Sequence, residues 1–261
     1  MATALGKLSD GEMDQLETWI GAGPKRFTLL YSATGDGCVA TTFHQKCDNQ
    51  GPTVTVLYNP QDSVYGGYTG QSWSGSDAWI NDPTAFLYQL KFSGNDQRTK
   101  FPVVHSNSVN AIYSDNTFGP TFGGGHNLHT FSNTINMSNG VYALTGYVKF
   151  NDTYYQMSNV SPRVKSWDDI NNGTMNVTEL EVYKVTGKML NFFKYIIKRR
   201  NNQSRNVLKL ESVINMLACK NSDRKLNLYP KHTIYNTFLK TSLIVYCLHI
   251  FLKRQLYKHK R

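Results

Sequence analysis

Cysteine is scarce in this chain. Four in 261 residues are too few for a disulfide scaffold. Glycine is plentiful but missing from one end: all 20 lie at or before Gly187, and residues 188–261 have none. Acidic residues thin out at the same place. Residues 1–188 carry 12 Lys+Arg against 16 Asp+Glu, a net −4, and residues 189–261 carry 16 against 2, a net +14. The formal charge of +10 therefore belongs to the C-terminal segment, and reading the whole chain as a basic nucleic-acid binder is excluded. With 40% hydrophobic and 18% charged residues, the chain as a whole is not disordered. Its length allows one or two domains with a buried core.

Long apolar runs are also lacking. The most apolar stretch, 241–252, falls short of the ~20 residues that span a bilayer. Extending it back to Ile234 takes in Asn236 and Lys240, both costly in lipid. It reads as a short buried or interfacial helix, and the basic flank 253–261 suits a membrane surface. The first seven residues show no basic segment followed by an apolar run. No signal peptide is expected, and the expected compartment is the cytoplasm. The phosphate loop is missing: Gly187-Lys188 is followed by Met189 and lacks the upstream glycine, so no nucleotide is expected. The hydrolase elbow is missing too, since Gly70-Gln71-Ser72-Trp73-Ser74 ends on serine. With no recognisable catalytic motif, the expectation is no enzyme, no cofactor and no metal.

What is present before Gly187 is a series of short segments separated by turn residues. Ser9 and Glu12 form a capping-box pattern, followed by Met13, Leu16, Trp19 and Ile20 on one helical face. Gly21 and Gly23-Pro24 stop that helix. Strands are expected at 27–31, 53–58, 64–69, 84–92, 111–113, 141–150 and 179–185, with Val54, Val56 and Tyr58 sharing a face. A short helix fits 38–47, with Val39, Phe43 and Cys47 aligned. Glycine, asparagine and proline turns separate these elements. The pattern points to a mainly β fold, a β-sandwich flanked by short helices. The expected divisions are a leading helix at 1–24, a domain at 19–187 and a basic tail of low order at 188–261.

Four clusters invite chemistry. Cys38, His44 and Cys47 are metal-like, but zinc wants three or four ligands in paired spacings, so buried packing is the plainer reading. Thiol redox or hydrolytic chemistry through these three is the rival. Asp168-Asp169 are neighbours that point to different faces. Glu179 and Glu181 share a strand face, read as a solvated one, with Leu180, Val182 and Val185 partly inward. The glycine-dense stretch 118–126 suits either close approach to an anion or a tight corner between sheets, and the corner is favoured.

The same residues carry a family resemblance. Leu29-Leu30-Tyr31-Ser32-Ala33, Asp36-Gly37, Phe43-His44-x-x-Cys47-Asp48, Gly51-Pro52-Thr53, Gly66-Gly67-Tyr68-Thr69, Trp73, Asp82-Pro83-x-Ala85-Phe86-Leu87-Tyr88, Gly119-Pro120-x-Phe122-Gly123 and Glu179-Leu180-Glu181-Val182-Tyr183 occur in that order. Together they resemble a TLDc domain. Trp19-Ile20-Gly21 and the run from Thr178 to Val185 are similar to its interferon-induced protein 44 and 44-like branch. The resemblance implies a β-sandwich flanked by helices, a non-enzymatic interaction module, and roles in oxidation resistance or innate immunity. In some members it implies contact with the vacuolar proton-pumping ATPase. Tyr65 stands where the family usually has phenylalanine. That branch continues into a GTP-binding domain, whereas residues 188–261 share neither its composition nor its motifs. The chain therefore resembles a truncated isoform or one read into non-homologous sequence. Separately, the charge of the tail offers a third reading, in which it is the functional part through acidic lipids or nucleic acid.

Overall fold

The computed structural model describes residues 6–149, 151–158 and 160–187. The basic tail and its 241–252 run lie outside the described residues. In chain order the elements begin with α1 (Asp10–Ile20), β1 (Lys25–Ser32), α2 (Ala33–Asp36), β2 (Cys38–Val39), α3 (Ala40–Cys47), β3 (Thr53–Tyr58), β4 (Val64–Thr69) and β5 (Ser76–Ile80). Then come β6 (Phe86–Phe92), β7 (Asn95–Pro102), β8 (Ile112–Asp115), β9 (Thr121–Phe122), β10 (Leu128–His129), β11 (Thr134–Ile135) and β12 (Met137–Ser138). The last are β13 (Val141–Ala143), β14 (Tyr147–Val148), α4 (Asp168–Asn171), β15 (Asn176–Val177) and β16 (Glu179–Gly187).

The capping box forms. The Glu12 N–H reaches Ser9 Oγ (3.4 Å), and the Glu12 carboxylate accepts from the Ser9 N–H (2.9 Å). Leu16 is fully buried, and Met13, Trp19 and Ile20 pack beside it. Lys100 on β7 donates to the Trp19 carbonyl (2.8 Å), which places a cation at the negative end of α1.

Six strands make one antiparallel sheet in the order β1-β16-β3-β4-β6-β7. Every position of β3 and β4 is buried. Val54, Val56 and Tyr58 face α1, while Leu57 faces the opposite core. This sheet is the middle of three layers, so its central strands are buried on both sides. A second sheet, β14-β10-β9-β8-β5, covers the other side. Its inward row runs across all five strands as Ile80, Ile112, Phe122, Leu128 and Val148. The two sheets meet at Gly67, where a Cβ would lie 2.6 Å from the Phe122 ring. The fold is thus a mainly β sandwich with a few short helices.

Several elements differ from the sequence expectation. The expected strand 141–150 is split between β13, in a three-stranded sheet, and β14, in the five-stranded one. The break falls at Gly146, whose backbone passes so close to the His129 and Thr130 carbonyls that a Cβ would collide with them. The helix expected at 38–47 starts at Ala40, because Cys38 and Val39 pair with β11 instead. β5 and β7 were not expected. β7 follows β6 through the two-residue turn Ser93-Gly94, both at positive φ, with Phe92 opposite Asn95. Its polar sequence hides the strand.

Candidate functional site

Glu179 and Glu181 lie on one face of β16, but that face is not solvated. They are 4% and 2% exposed. The strand sits between β1 and β3, and the segment leading into α1 covers it. Val185, expected inward with Leu180 and Val182, lies on the α1 side with Tyr183, as two-residue alternation requires. Both Glu181 oxygens accept from the Lys7 N–H (2.9 and 3.1 Å), and Oε2 also accepts from the Tyr183 hydroxyl (2.6 Å). Burial pushes its carboxyl above the ordinary range, only partly offset by these donors. Glu179 accepts from the Thr34 N–H (3.1 Å), the Thr34 hydroxyl and the Ser32 hydroxyl (3.1 Å). The two carboxylates pin the N-terminal segment and α2 to the sheet.

A third buried carboxylate, Asp82, is fully enclosed. It accepts from the Thr69 hydroxyl (2.8 Å), the Gly70 N–H (2.6 Å), and the Thr84 N–H and hydroxyl (2.9 and 2.6 Å). Asp168 and Asp169 fall in the first turn of α4, where Asp169 accepts from the Lys165 and Ser166 N–H groups. The Asp168-Asp169 pair is therefore a turn device.

Cys38, His44 and Cys47 are all buried. His44 is tied at both ring nitrogens: Nδ1 to Asp48 Oδ1 (2.8 Å), and Nε2 to the carbonyls of Asp115 (2.7 Å) and Phe118 (3.1 Å). Burial raises the Cys38 thiol to about 12 and moves Cys47 in the same direction. Thiols so placed are protonated at neutral pH and are weak nucleophiles. Among the described residues no three His, Cys, Asp or Glu side chains are grouped to hold a metal.

The other family-motif positions serve the fold. Asp36 accepts from the Ser32 N–H and pairs with Lys46 at 2.6 Å. Gly37, at φ +82°, ends α2. The Gly51 N–H, beside Pro52, reaches Ser72 Oγ (3.0 Å). Tyr88 crosses Gly66 to donate to the Thr55 carbonyl (2.7 Å). Tyr68 stacks on Phe86 with centroids 5.0 Å apart. Trp73 is fully buried, donates to Thr53 Oγ1 (2.9 Å), and meets Phe43 and Phe122 edge-on at 5.6 Å each. Gly119 leaves room for the Phe131 ring. Gly123, at φ +83°, turns the chain, with its carbonyl accepting from the His126 N–H (2.7 Å) and Tyr154 lying over Gly124. The glycine-dense stretch is a set of tight turns, as expected, but it joins β8, β9 and β10 within one sheet and is not a corner between sheets.

The outward face of the five-stranded sheet is open at its two edges, at Trp79 and Tyr147, and closed at its middle, at Thr121 and His129. One residue out of phase with the inward row, the register runs Trp79, Tyr113, Thr121, His129 and Tyr147 across all five strands. Phe118 and His126 join this row from loops. The rings interlock: Trp79–Tyr113 at 4.3 Å, Tyr113–His126 at 5.6 Å, Phe118–His129 at 4.6 Å and His129–Tyr147 at 5.8 Å. Trp79 is 40% and Tyr147 38% exposed. His129 sits between the Thr121 and Ser132 hydroxyls (2.8 and 3.0 Å). Burial first, and then His126, lowers it to about 4. His126 is also lowered, by burial and by Lys149. At neutral pH both rings are uncharged members of an aromatic layer. Sequence reading missed this face because β9, β10 and β14 are two residues long, too short to show alternation. Only the cross-strand register aligns them.

A family model described as TLDc domain matches residues 8–186. No curated protein matches the chain.

Proposed function

This chain belongs to the TLDc domain family, and from that membership we propose that it works as a docking module, not as an enzyme. It is a TLDc-type module of the oxidation-resistance kind. One observation carries the docking reading. The polar side chains at the motif positions are occupied in holding the fold, while two rings on the outward face of the second sheet, Trp79 and Tyr147, stay exposed. General bases and nucleophiles must reach a substrate, and Glu179, Glu181, His44 and Cys47 lie under other parts of the domain. Exposed aromatic rings with a polar margin are the kind of feature that binds protein.

We infer further that the chain is of the interferon-induced protein 44-like branch, on Trp19-Ile20-Gly21 and the run from Thr178 to Val185. It acts in the cytoplasm in an innate immune, antiviral or oxidative-stress response. Its partner is a protein, and the vacuolar proton-pumping ATPase is the first to test. Pull-down from interferon-treated cells with wild type and with Trp79→Ser/Tyr147→Ser is the experiment. A reproducible partner lost in the variant supports the reading, and no reproducible partner overturns it.

The rival is thiol chemistry through Cys38, His44 and Cys47. The double variant Cys38→Ser/Cys47→Ser is expected to keep full protection of cells against oxidant. Loss of protection by a variant that still folds would restore the rival.

A further inference from the structure

The chain contains two Asn-Gly pairs, Asn139-Gly140 and Asn172-Gly173. Both asparagines sit at positive φ, +51° and +59°, so φ does not separate them. Their surroundings do. Asn139 and Gly140 form the two-residue turn between β12 and β13, where Ser138 stands opposite Val141. With Gly140 also at positive φ (+76°), this is the hairpin turn that asparagine-glycine favours. Both residues are exposed, and a Cβ on Gly140 would meet nothing within 4 Å. Among the described residues, no hydrogen bond holds the Asn139 amide or the Gly140 N–H. Asn172 follows α4, and its amide is engaged three times. Its Oδ1 accepts from Asn59 Nδ2 (2.9 Å) and from Ser63 Oγ (2.6 Å), and its Nδ2 donates to Ser93 Oγ (2.8 Å). The Gly173 N–H donates to Asn171 Oδ1 (3.2 Å).

We propose that Asn139 is a site of covalent self-modification, deamidating through a succinimide to isoaspartate and aspartate, and that Asn172 is protected by its hydrogen bonds. The Gly140 backbone nitrogen attacks Asn139 Cγ. The new N–C bond forms as the Cγ–Nδ2 bond breaks, and ammonia leaves with the proton given up by the Gly140 N–H. Water then opens the five-membered ring. Addition at Cγ gives aspartate, and addition at the Asn139 backbone carbonyl gives isoaspartate, in which the chain runs through Cγ. The net change is amide plus water to carboxylic acid plus ammonia, with no oxidant or reductant. Glycine suits the step because no β-carbon shields its nitrogen. The nitrogen reaches Cγ only after rotation about the Asn139 Cα–C bond, so the turn must open. Little resists that opening: β12 is two residues long, both exposed, and pairs with β13 at two positions. At Asn172 the same rotation breaks three side-chain bonds and the bond from its N–H to the Asp168 carbonyl (2.9 Å). The product matters to the hairpin, since isoaspartate adds a backbone atom and a charge to a turn built for two residues.

Peptide mapping by mass spectrometry tests this on the full chain, aged in mildly alkaline buffer with and without denaturant. The readout is the mass gain of amide-to-acid conversion in each Asn-Gly peptide, with isoaspartate and aspartate forms separated by chromatography. In denaturant both pairs are expected to convert at comparable rates. In the folded chain Asn139 is expected to convert faster than Asn172 by at least about tenfold, since several hydrogen bonds hold the second amide and none holds the first. Ser93→Gly keeps the positive φ of that turn (+47°) and removes one partner of Asn172. It is expected to speed Asn172 in the folded chain by about fivefold and to leave Asn139 unchanged. An Asn139 that converts in denaturant but stays intact in the folded chain overturns the proposal, as does an Asn172 that keeps pace with Asn139 when folded. A folded Ser93→Gly variant whose Asn172 stays as slow as in wild type overturns the assignment of protection to the hydrogen bonds.

Discussion

Two buried titratable groups give the domain opposing responses to pH, each traceable to one residue. The Glu181 carboxyl is raised by burial. The unfolded chain gives up this proton more readily, so the contribution of Glu181 to stability is full below its unfolded value near 4.5 and falls as pH rises through the higher folded value. His129 works the other way. Its folded value of about 4 lies below the ordinary 6.5, so its contribution is present above pH 6.5 and is lost as pH falls towards 4. Thermal unfolding measured across this range checks both. Glu181→Gln is expected to flatten the decline towards neutral pH, and His129→Gln to flatten the decline towards acid. A Glu181→Gln profile parallel to wild type counts against the burial argument. Sequence placed Glu179 and Glu181 on one face correctly but gave that face to solvent. A strand between two neighbours and beneath a helix has no solvent face, and nothing within residues 179–185 announces what lies over them.

At the scale of elements, the helix cap was written locally and the sheet contact was not. Ser9 and Glu12 are three residues apart, and their reciprocal bonds depend only on that spacing. Ser9→Ala removes a hydroxyl that meets both the Glu12 N–H and its carboxylate (3.4 and 2.8 Å), and is expected to cost about 1 kcal/mol of stability in urea unfolding. Gly67 is different, since its reason lies on another strand. A methyl there must displace the Phe122 ring, which is fully buried between the sheets. Gly67→Ala is expected to cost about 1–3 kcal/mol, with a loss of near-ultraviolet circular dichroism as Trp73 and Phe122 repack. A neutral outcome at Gly67 would mean that the layers slide apart freely. The same contrast separates β3 and β4, whose ranges the sequence pattern predicts to the residue, from β7, a polar strand recruited by its turn.

Across the whole molecule, the domain closes by pairing its first strand with its last. Lys25 lies opposite Gly187, and β16 fills the gap between β1 and β3. The sheet is therefore incomplete until Gly187 is in place. A chain ending after Gly187 is expected to unfold cooperatively within about 5 °C of the full chain, whereas one ending before Glu179 is expected to lose the transition altogether. The shorter folded chain is also expected to lose any salt-dependent retention on anionic vesicles or RNA, since the +14 segment is removed. Retention unchanged by that deletion would place the contact on the domain itself. The amino-acid sequence alone determined the mainly β class, the cap of α1, the central strands and the family, because periodicity, spacing and motif order are properties of neighbours along the chain. Which carboxylates are buried, why 141–150 breaks at Gly146, and how Trp79, Tyr113, His129 and Tyr147 come to share one face were decided only by the tertiary structure. Each depends on register between strands dozens of residues apart, a quantity no local window contains.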